Sequence, residues 1–139
     1  GGGGLLSGTA LAVKSVNPLI KVIGCEPALA DDAYRSFKSG NLMPSVSPKT
    51  IADGLLTSLS ERTFTIIRDR VDDILTVSEE SIVRAMFLVW QRMKIIIEPS
   101  SAVPVAALLD NHGLFAGKRV GIILSGGNVD LFHLPFQEG

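Results

Sequence analysis

Aromatic residues are scarce in this sequence: one Trp, one Tyr and six Phe make up 6% of 139 residues. Apolar residues still reach 46%, so the expected core is aliphatic, as in α/β proteins. Cysteine is scarcer. Cys25 stands alone, which excludes an internal disulfide and fits a reducing compartment. Neither sign of charge dominates, since 13 basic and 14 acidic residues leave a formal net charge of −1. With no cluster of one sign, nucleic acid and membrane surfaces are excluded as expected partners. The apolar runs are too short to span a bilayer, and no secretory signal is visible. The expectation is one soluble, cytoplasmic domain with a modest core.

What is present alternates in type along the chain. Leu5, Leu6, Ala10 and Val13 recur at helical spacing until Asn17-Pro18. "IKVIGCEP" reads as a buried strand, and "ADDAYRSFKSG" as a helix stopped by Gly40. Residues 41–53 carry two prolines and read as loop. "TFTIIRDRV" reads as a short helix or an irregular segment, and "DDILTV" as a second strand. From Ser78 a helix presents Ile82, Ala85, Met86, Val89, Trp90 and Met93 on one face, with Glu79 and Glu80 in its first turn. "KIIIEP" reads as a third strand, and "SSAVPVAALLDNHG" as a helix stopped by Gly113. "KRVGIILSGGNVD" reads as a continuous apolar strand entering a glycine turn. Uniformly apolar strands between helices predict an α/β fold, a parallel sheet with helices on both faces.

Such sheets bind ligands beyond the carboxyl ends of their strands. That rule selects the loops around Gly1–Leu5, Glu26–Asp32, Ala52–Gly54, Glu98–Ser101 and Ser125–Asn128. Four successive glycines can gather backbone N–H groups into a concave anion site, reinforced by the helix that follows. They can equally be a flexible linker or turn. "SGGN" is a second tight turn, ordinary when taken by itself. In "EPALADD", Glu26 and Asp32 lie on either side of a strand-to-helix turn. Two carboxylates with a carbonyl between them suit a hard divalent cation, and acidic residues there also serve as plain helix caps.

Taken in order, "GGGGLLSG", "EPALADD", "TIADG", "WQRMKIIIEPSSA" and "ILSGGNVD" resemble the pyridoxal-phosphate enzymes of the tryptophan-synthase β-like fold. The likeness is to the serine racemase and serine/threonine dehydratase group. It implies that residues 1–139 are the C-terminal portion of the large cofactor-binding domain, with the N-terminal half absent. Gly1, Gly2, Gly3, Gly4 and the Leu5 amide would then hold the phosphate of pyridoxal 5′-phosphate, and Gly54 would lie beside its ring. Ser125 would meet the pyridine nitrogen, with Glu98 near that end.

The same resemblance makes Glu26, the Ala30 carbonyl and Asp32 a site for Mg²⁺, Ca²⁺ or Mn²⁺. Lys94 and Asn128 match positions that contact ATP as an activator. The implied activity is Cα proton abstraction from serine or threonine, then reprotonation or β-elimination of water. A 3-hydroxyaspartate dehydratase belongs to the same family. The alternative from another class is a non-catalytic phosphate- or nucleotide-binding α/β module.

Ser36-Phe37-Lys38 copies the family's lysine motif but follows the glycine loop instead of preceding it. Lys38 is therefore expected at the surface, and the catalytic lysine and second base are expected in the absent half. The resemblance also implies a homodimer when complete. By itself the chain is expected to be inactive, with an uncovered sheet that dimerises or aggregates. One departure stands out: "EPSSAVPV" has Ser101 and Pro104 where the family uses small Gly or Ala.

Overall fold

Two short apolar runs meet at the centre of the molecule. β1 (Ile23–Pro27) and β2 (Asp73–Val77) form a parallel pair, Ile23 opposite Asp73 and Pro27 opposite Val77. The structure, a computed structural model, describes residues 1–136. Parallel strands need a long crossover, supplied here by helix α2 (Asp32–Ser39), the 41–59 loop and helix α3 (Glu61–Arg70). Helix α1 (Gly4–Val16) precedes the sheet. Helices α4 (Glu79–Met93), α5 (Pro99–Asp110) and the short α6 (His112–Phe115) follow it.

Strand side chains alternate between two aliphatic cores. Ile74 packs with Ala10, Val22, Phe64 and Ile67, on the side covered by α1, α2 and α3. Cys25, Leu75 and Val77 turn the other way, toward Ile82, Met86, Ile97 and Val103 of the α4–α5 side. The two strands are covered on both faces, as the apolar pattern predicts and against the expectation of an uncovered sheet, because α1–α3 pack on one side and α4–α5 on the other. Gly24 lets α1 approach: a Cβ there would lie 2.8 Å from Leu6 Cδ2.

Helix boundaries follow their caps. Ser78 accepts from the Ser81 N–H at 3.1 Å to start α4, and Gly40, at φ 73°, closes α2. α3 is a true helix, begun by a reciprocal box in which the Ser60 and Thr63 side chains cap each other's backbone N–H. α5 keeps Pro104 inside it but ends at Asp110, before Gly113, where Asn111 leaves helical geometry and its side-chain N–H joins its backbone N–H on the Ala107 carbonyl.

Two expected strands do not form. Residues 94–97 and 118–125 are outside any ladder, and one backbone bond, Glu98 N–H to Gly126 C=O at 3.1 Å, joins their ends among the described residues. Ile95, Ile96, Val120 and Ile123 are exposed, while Ile97 is buried against the α4–α5 core. A parallel strand depends on partners at its edges and cover on its faces; these segments have apolar propensity and, at Ile97 and Leu124, cover on one side, but no ladder partner.

Candidate functional site

The glycine loop is anchored from below. Gly3 caps α1 in the left-handed region, φ 80°, with no side chain supplying a cap. A Cβ at Gly3 would stand 2.6 Å from Leu59 Cδ2 and 2.9 Å from Ile67 Cδ1. The loop therefore lies flush on α3, and the Thr63 hydroxyl donates to the Gly2 carbonyl at 2.8 Å to hold it there. Gly4 has open space around the position of a Cβ. The first amides of a 13-residue helix thus have no side-chain cap and lie at exposed residues Gly4 and Leu5, which is the chemistry of an anion cradle.

From that loop a run of contacts leads to the "SGGN" turn. Gly1 abuts the Gly54 carbonyl, 2.9 Å from where its Cβ would be. The Gly54 N–H donates to Asp53 Oδ1 at 2.9 Å and to Ser100 Oγ at 3.2 Å. Glu98 caps the start of α5 by position and accepts the Asn128 N–H at 2.8 Å. Ser101, buried on α5, bonds both polar groups of the Gly126 backbone. Ser125, next to it, is exposed. Gly1–Gly4, Gly54, Glu98 and the turn carrying Ser125 are thus brought to one rim, glycine loop at one end and hydroxyl at the other.

The acidic pair occupies a separate, buried place beneath the rim. Glu26 is 3% exposed and Asp32 fully buried. Glu26 accepts from the Ala33 N–H at 3.2 Å and the Tyr34 N–H at 2.8 Å, so it does cap α2. Asp32 accepts from the Leu59 N–H at 3.3 Å through Oδ2, and its Oδ1 is buried with no partner. Burial pushes the Glu26 carboxyl up to about 7, and burial also raises that of Asp32. A buried acceptor without a donor is costly, and a cation would satisfy it. Ala30, also buried, ends the turn between the two carboxylates. Among the described residues no group of three or more His, Cys, Asp and Glu side chains forms a metal cluster. A cation here would take two carboxylates and the Ala30 carbonyl, with water completing its shell.

Other singled-out residues lie elsewhere. Lys94, in the left-handed region at the end of α4, donates to the Gln91 carbonyl at 2.7 Å; no hydrogen bond joins it to Asn128 among the described residues. Lys38 is a surface residue paired with Asp73 at 2.7 Å, and that hydrogen bond raises its pKa. A raised pKa is the opposite of what a nucleophilic lysine needs. Burial pushes the Cys25 thiol up to about 12, leaving it inert.

Sequence reasoning passed over Leu59 and Thr63, and took Ser100 and Ser101 only as members of the Glu98–Ser101 loop, with Ser101 noted besides as a departure. Thr63 had a legible signal in the Ser60–Thr63 spacing of a capping box. Ser101 had one too, as a polar residue on a helix face of Ala102, Val103, Ala106 and Ala107.

Comparisons with known proteins bear on what this rim is for. The family described as pyridoxal-phosphate dependent enzyme matches residues 1–126. The chain is 52% identical over 137 residues to a beta-hydroxyaspartate dehydratase from Paracoccus denitrificans, covering 99% of this chain and 44% of that protein. It is 54% identical over 138 residues to a serine racemase from Dictyostelium discoideum, covering 94% of this chain and 42% of that protein. Among solved structures, a threonine deaminase from T.th. superposes with a TM-score of 0.88 at 50% identity, over 94% of this chain and 48% of the other. The chain spans less than half the length of these curated relatives.

Proposed function

We propose, from the premise that the chain belongs to the pyridoxal-phosphate dependent enzyme family, that it is the cofactor-cradling C-terminal portion of a racemase or dehydratase acting on β-hydroxy-α-amino acids. Serine, threonine and 3-hydroxyaspartate share that substrate class, and the relatives' names cover all three. The observation that carries the reading is the rim itself. An uncapped helix start and a hydroxyl-bearing turn are joined by contacts through Gly54 and Glu98.

In this reading the amides of Gly1–Gly4 and Leu5 bind the phosphate of pyridoxal 5′-phosphate, and α1 directs its positive end there. Gly54 leaves space beside the ring. When bound, the cofactor supplies an electron sink that acidifies the substrate Cα–H. Ser125 offers a hydroxyl to the pyridine nitrogen. A hydroxyl cannot keep that nitrogen protonated as a carboxylate would, so Ser125 moderates the sink and favours reprotonation or loss of the β-hydroxyl. Glu98, bonded to the Asn128 amide, holds the turn at that end.

The proton-transferring groups at Cα are supplied by parts of the enzyme outside this chain: a lysine and, for inversion, a second base on the opposite face. Glu26, Asp32 and the Ala30 carbonyl hold Mg²⁺ or a similar cation, which the orphaned Asp32 Oδ1 supports. ATP as activator, through Lys94 and Asn128, belongs to the proposal on resemblance alone. So do a homodimeric state and a cytoplasmic location; among the described residues, no helix is long and apolar enough to cross a membrane.

Titrating the protein with pyridoxal 5′-phosphate, pyridoxal and ATP tests the reading. The phosphate ester should bind at least tenfold more tightly than pyridoxal, about the worth of one or two charge-assisted hydrogen bonds. Equal affinity for the two removes the cradle. ATP binding in preference to the cofactor favours the nucleotide-binding module instead.

A further inference from the structure

We infer that Ser101 is a positioning residue for the ring end of the cradle: it locks the Gly126 peptide and so fixes where the neighbouring Ser125 side chain leaves the backbone. The inference rests on the reading of Ser125 as the partner of the pyridine nitrogen.

Ser101 lies in the first turn of α5 and is 1% exposed. A hydroxyl buried among alanines and valines is costly unless its donor and acceptor are both engaged. One residue engages both. The Gly126 N–H donates to Ser101 Oγ at 2.7 Å, and Ser101 Oγ donates to the Gly126 carbonyl at 2.9 Å. The Gly126 N–H belongs to the planar peptide that begins at Ser125, so pinning it sets the rotation of that plane about Ser125. Two further bonds brace the turn: Glu98 N–H to the Gly126 carbonyl at 3.1 Å, and Asn128 N–H to Glu98 Oε2 at 2.8 Å. A Cβ at Gly126 would fall 2.6 Å from Glu98 Cδ, so a larger residue there would displace the Glu98 carboxylate.

Ser125 itself is exposed and its hydroxyl has no hydrogen-bond partner among the described residues. What the peptide held by Ser101 sets is therefore the direction of the Ser125 Cα–Cβ bond, and rotation about that bond leaves the hydroxyl free to meet a ligand. The Ser100 hydroxyl is committed elsewhere, to the Gly54 N–H. Consecutive serines at the start of α5 thus brace two loops of the rim, Ser100 beside the ring and Ser101 at its nitrogen end.

The test compares the full-length protein with its Ser101→Ala and Ser101→Cys variants, using two ligands. Inorganic phosphate occupies only the glycine-loop end; pyridoxal 5′-phosphate reaches both. Ser101→Ala should speed hydrogen exchange at the Gly126 amide roughly tenfold, the worth of one lost hydrogen bond. It should weaken pyridoxal 5′-phosphate roughly three- to tenfold, shift the absorption of the bound cofactor, and leave inorganic phosphate unchanged. Ser101→Cys, with its weak S–H donor and acceptor, should fall between.

Unchanged Gly126 exchange, or equal loss of both ligands, overturns the inference. A wild-type protein that binds inorganic phosphate as well as pyridoxal 5′-phosphate overturns the cofactor reading instead, and with it the role given to Ser125.

Discussion

Gly3→Ala tests the glycine loop where fold and ligand make the same demand. Gly3 sits at φ 80°, a region that costs a residue with a Cβ about 1–2 kcal/mol. The new methyl would also meet Leu59 Cδ2 at 2.6 Å, Ile67 Cδ1 at 2.9 Å and Thr63 Cβ at 3.1 Å. Leu59 and Ile67 are both buried, so neither side chain can swing into solvent, and overpacking of that kind costs about 1–3 kcal/mol. The two effects together predict a loss of about 2–5 kcal/mol, a large part of the ~5–15 kcal/mol that holds a domain together.

Gly4→Ala is the control one residue on. It lies in α1 with nothing within 4 Å of a new Cβ, and should be neutral or gain up to about 1 kcal/mol by restricting the unfolded chain. Urea unfolding followed by circular dichroism measures both, with the slope checked for constancy so that midpoints report stability. The folded fraction of Gly3→Ala should also bind inorganic phosphate at least tenfold more weakly, because the loop must lift off α3 and its amides diverge. Gly3→Ala within about 0.5 kcal/mol of wild type, or a Gly4→Ala loss of the same size, refutes the reasoning.

Mg²⁺ should raise the melting temperature of the wild type, and Asp32→Asn should abolish most of that shift; thermal scans with and without the ion decide it. With a pKa raised to about 7, folded Glu26 keeps its proton after the unfolded chain has lost it. Cation-free stability therefore falls as pH rises from the usual carboxylate range to about 7, and the Mg²⁺ shift grows over the same interval; a shift independent of pH contradicts this. At the N-terminal end of β2, burial raises the Asp72 carboxyl, but bonds from Lys14, the Val22 amide and Lys21 outweigh it and hold the group well below its usual range. That stability is present above the ordinary carboxylate pKa and is lost as pH falls toward the depressed folded value. Asp72→Asn should cost about 2 kcal/mol at pH 7 in urea unfolding and flatten the acid limb, and an unchanged midpoint counts against the clamp. Lys38→Met should leave cofactor absorbance intact, since Lys38 pairs with Asp73 at the surface; loss of the absorbance would make Lys38 the attachment point.

Most helices were legible because local chemistry specifies them. The Ser78 cap, the Gly40 stop and the apolar face from Ile82 to Val89 are each written within a few residues of where they act. Lys38 could be placed at the surface for a similar reason: its order relative to the glycine loop outweighed the three letters it shares with a lysine motif. The segments 94–97 and 118–125 show where such reading stops. "KIIIEP" and "VGIIL" carry strand propensity, but a strand is a relation between chains of atoms, and neither run finds a ladder partner here.

The same distinction runs through the rim. That four of the five selected loops would meet was readable, although the fifth, Glu26–Asp32, which alone follows a strand that forms, lies beneath the others. What fixes those loops was not. Thr63 reaches back 61 residues to the Gly2 carbonyl, and Ser101 reaches forward 25 to Gly126. Leu59 spans both parts of the site, its amide on the Asp32 carboxylate and its side chain filling the space a Gly3 Cβ would need. These are side-chain and backbone contacts of large sequence separation, for which no local periodicity exists. Beyond its place in the Glu98–Ser101 loop, Ser101 was visible as a breach of pattern, a polar residue on a buried aliphatic face. Such breaches cost stability unless a partner meets them, and the partner found here is the peptide bond beside the hydroxyl that the proposed chemistry uses.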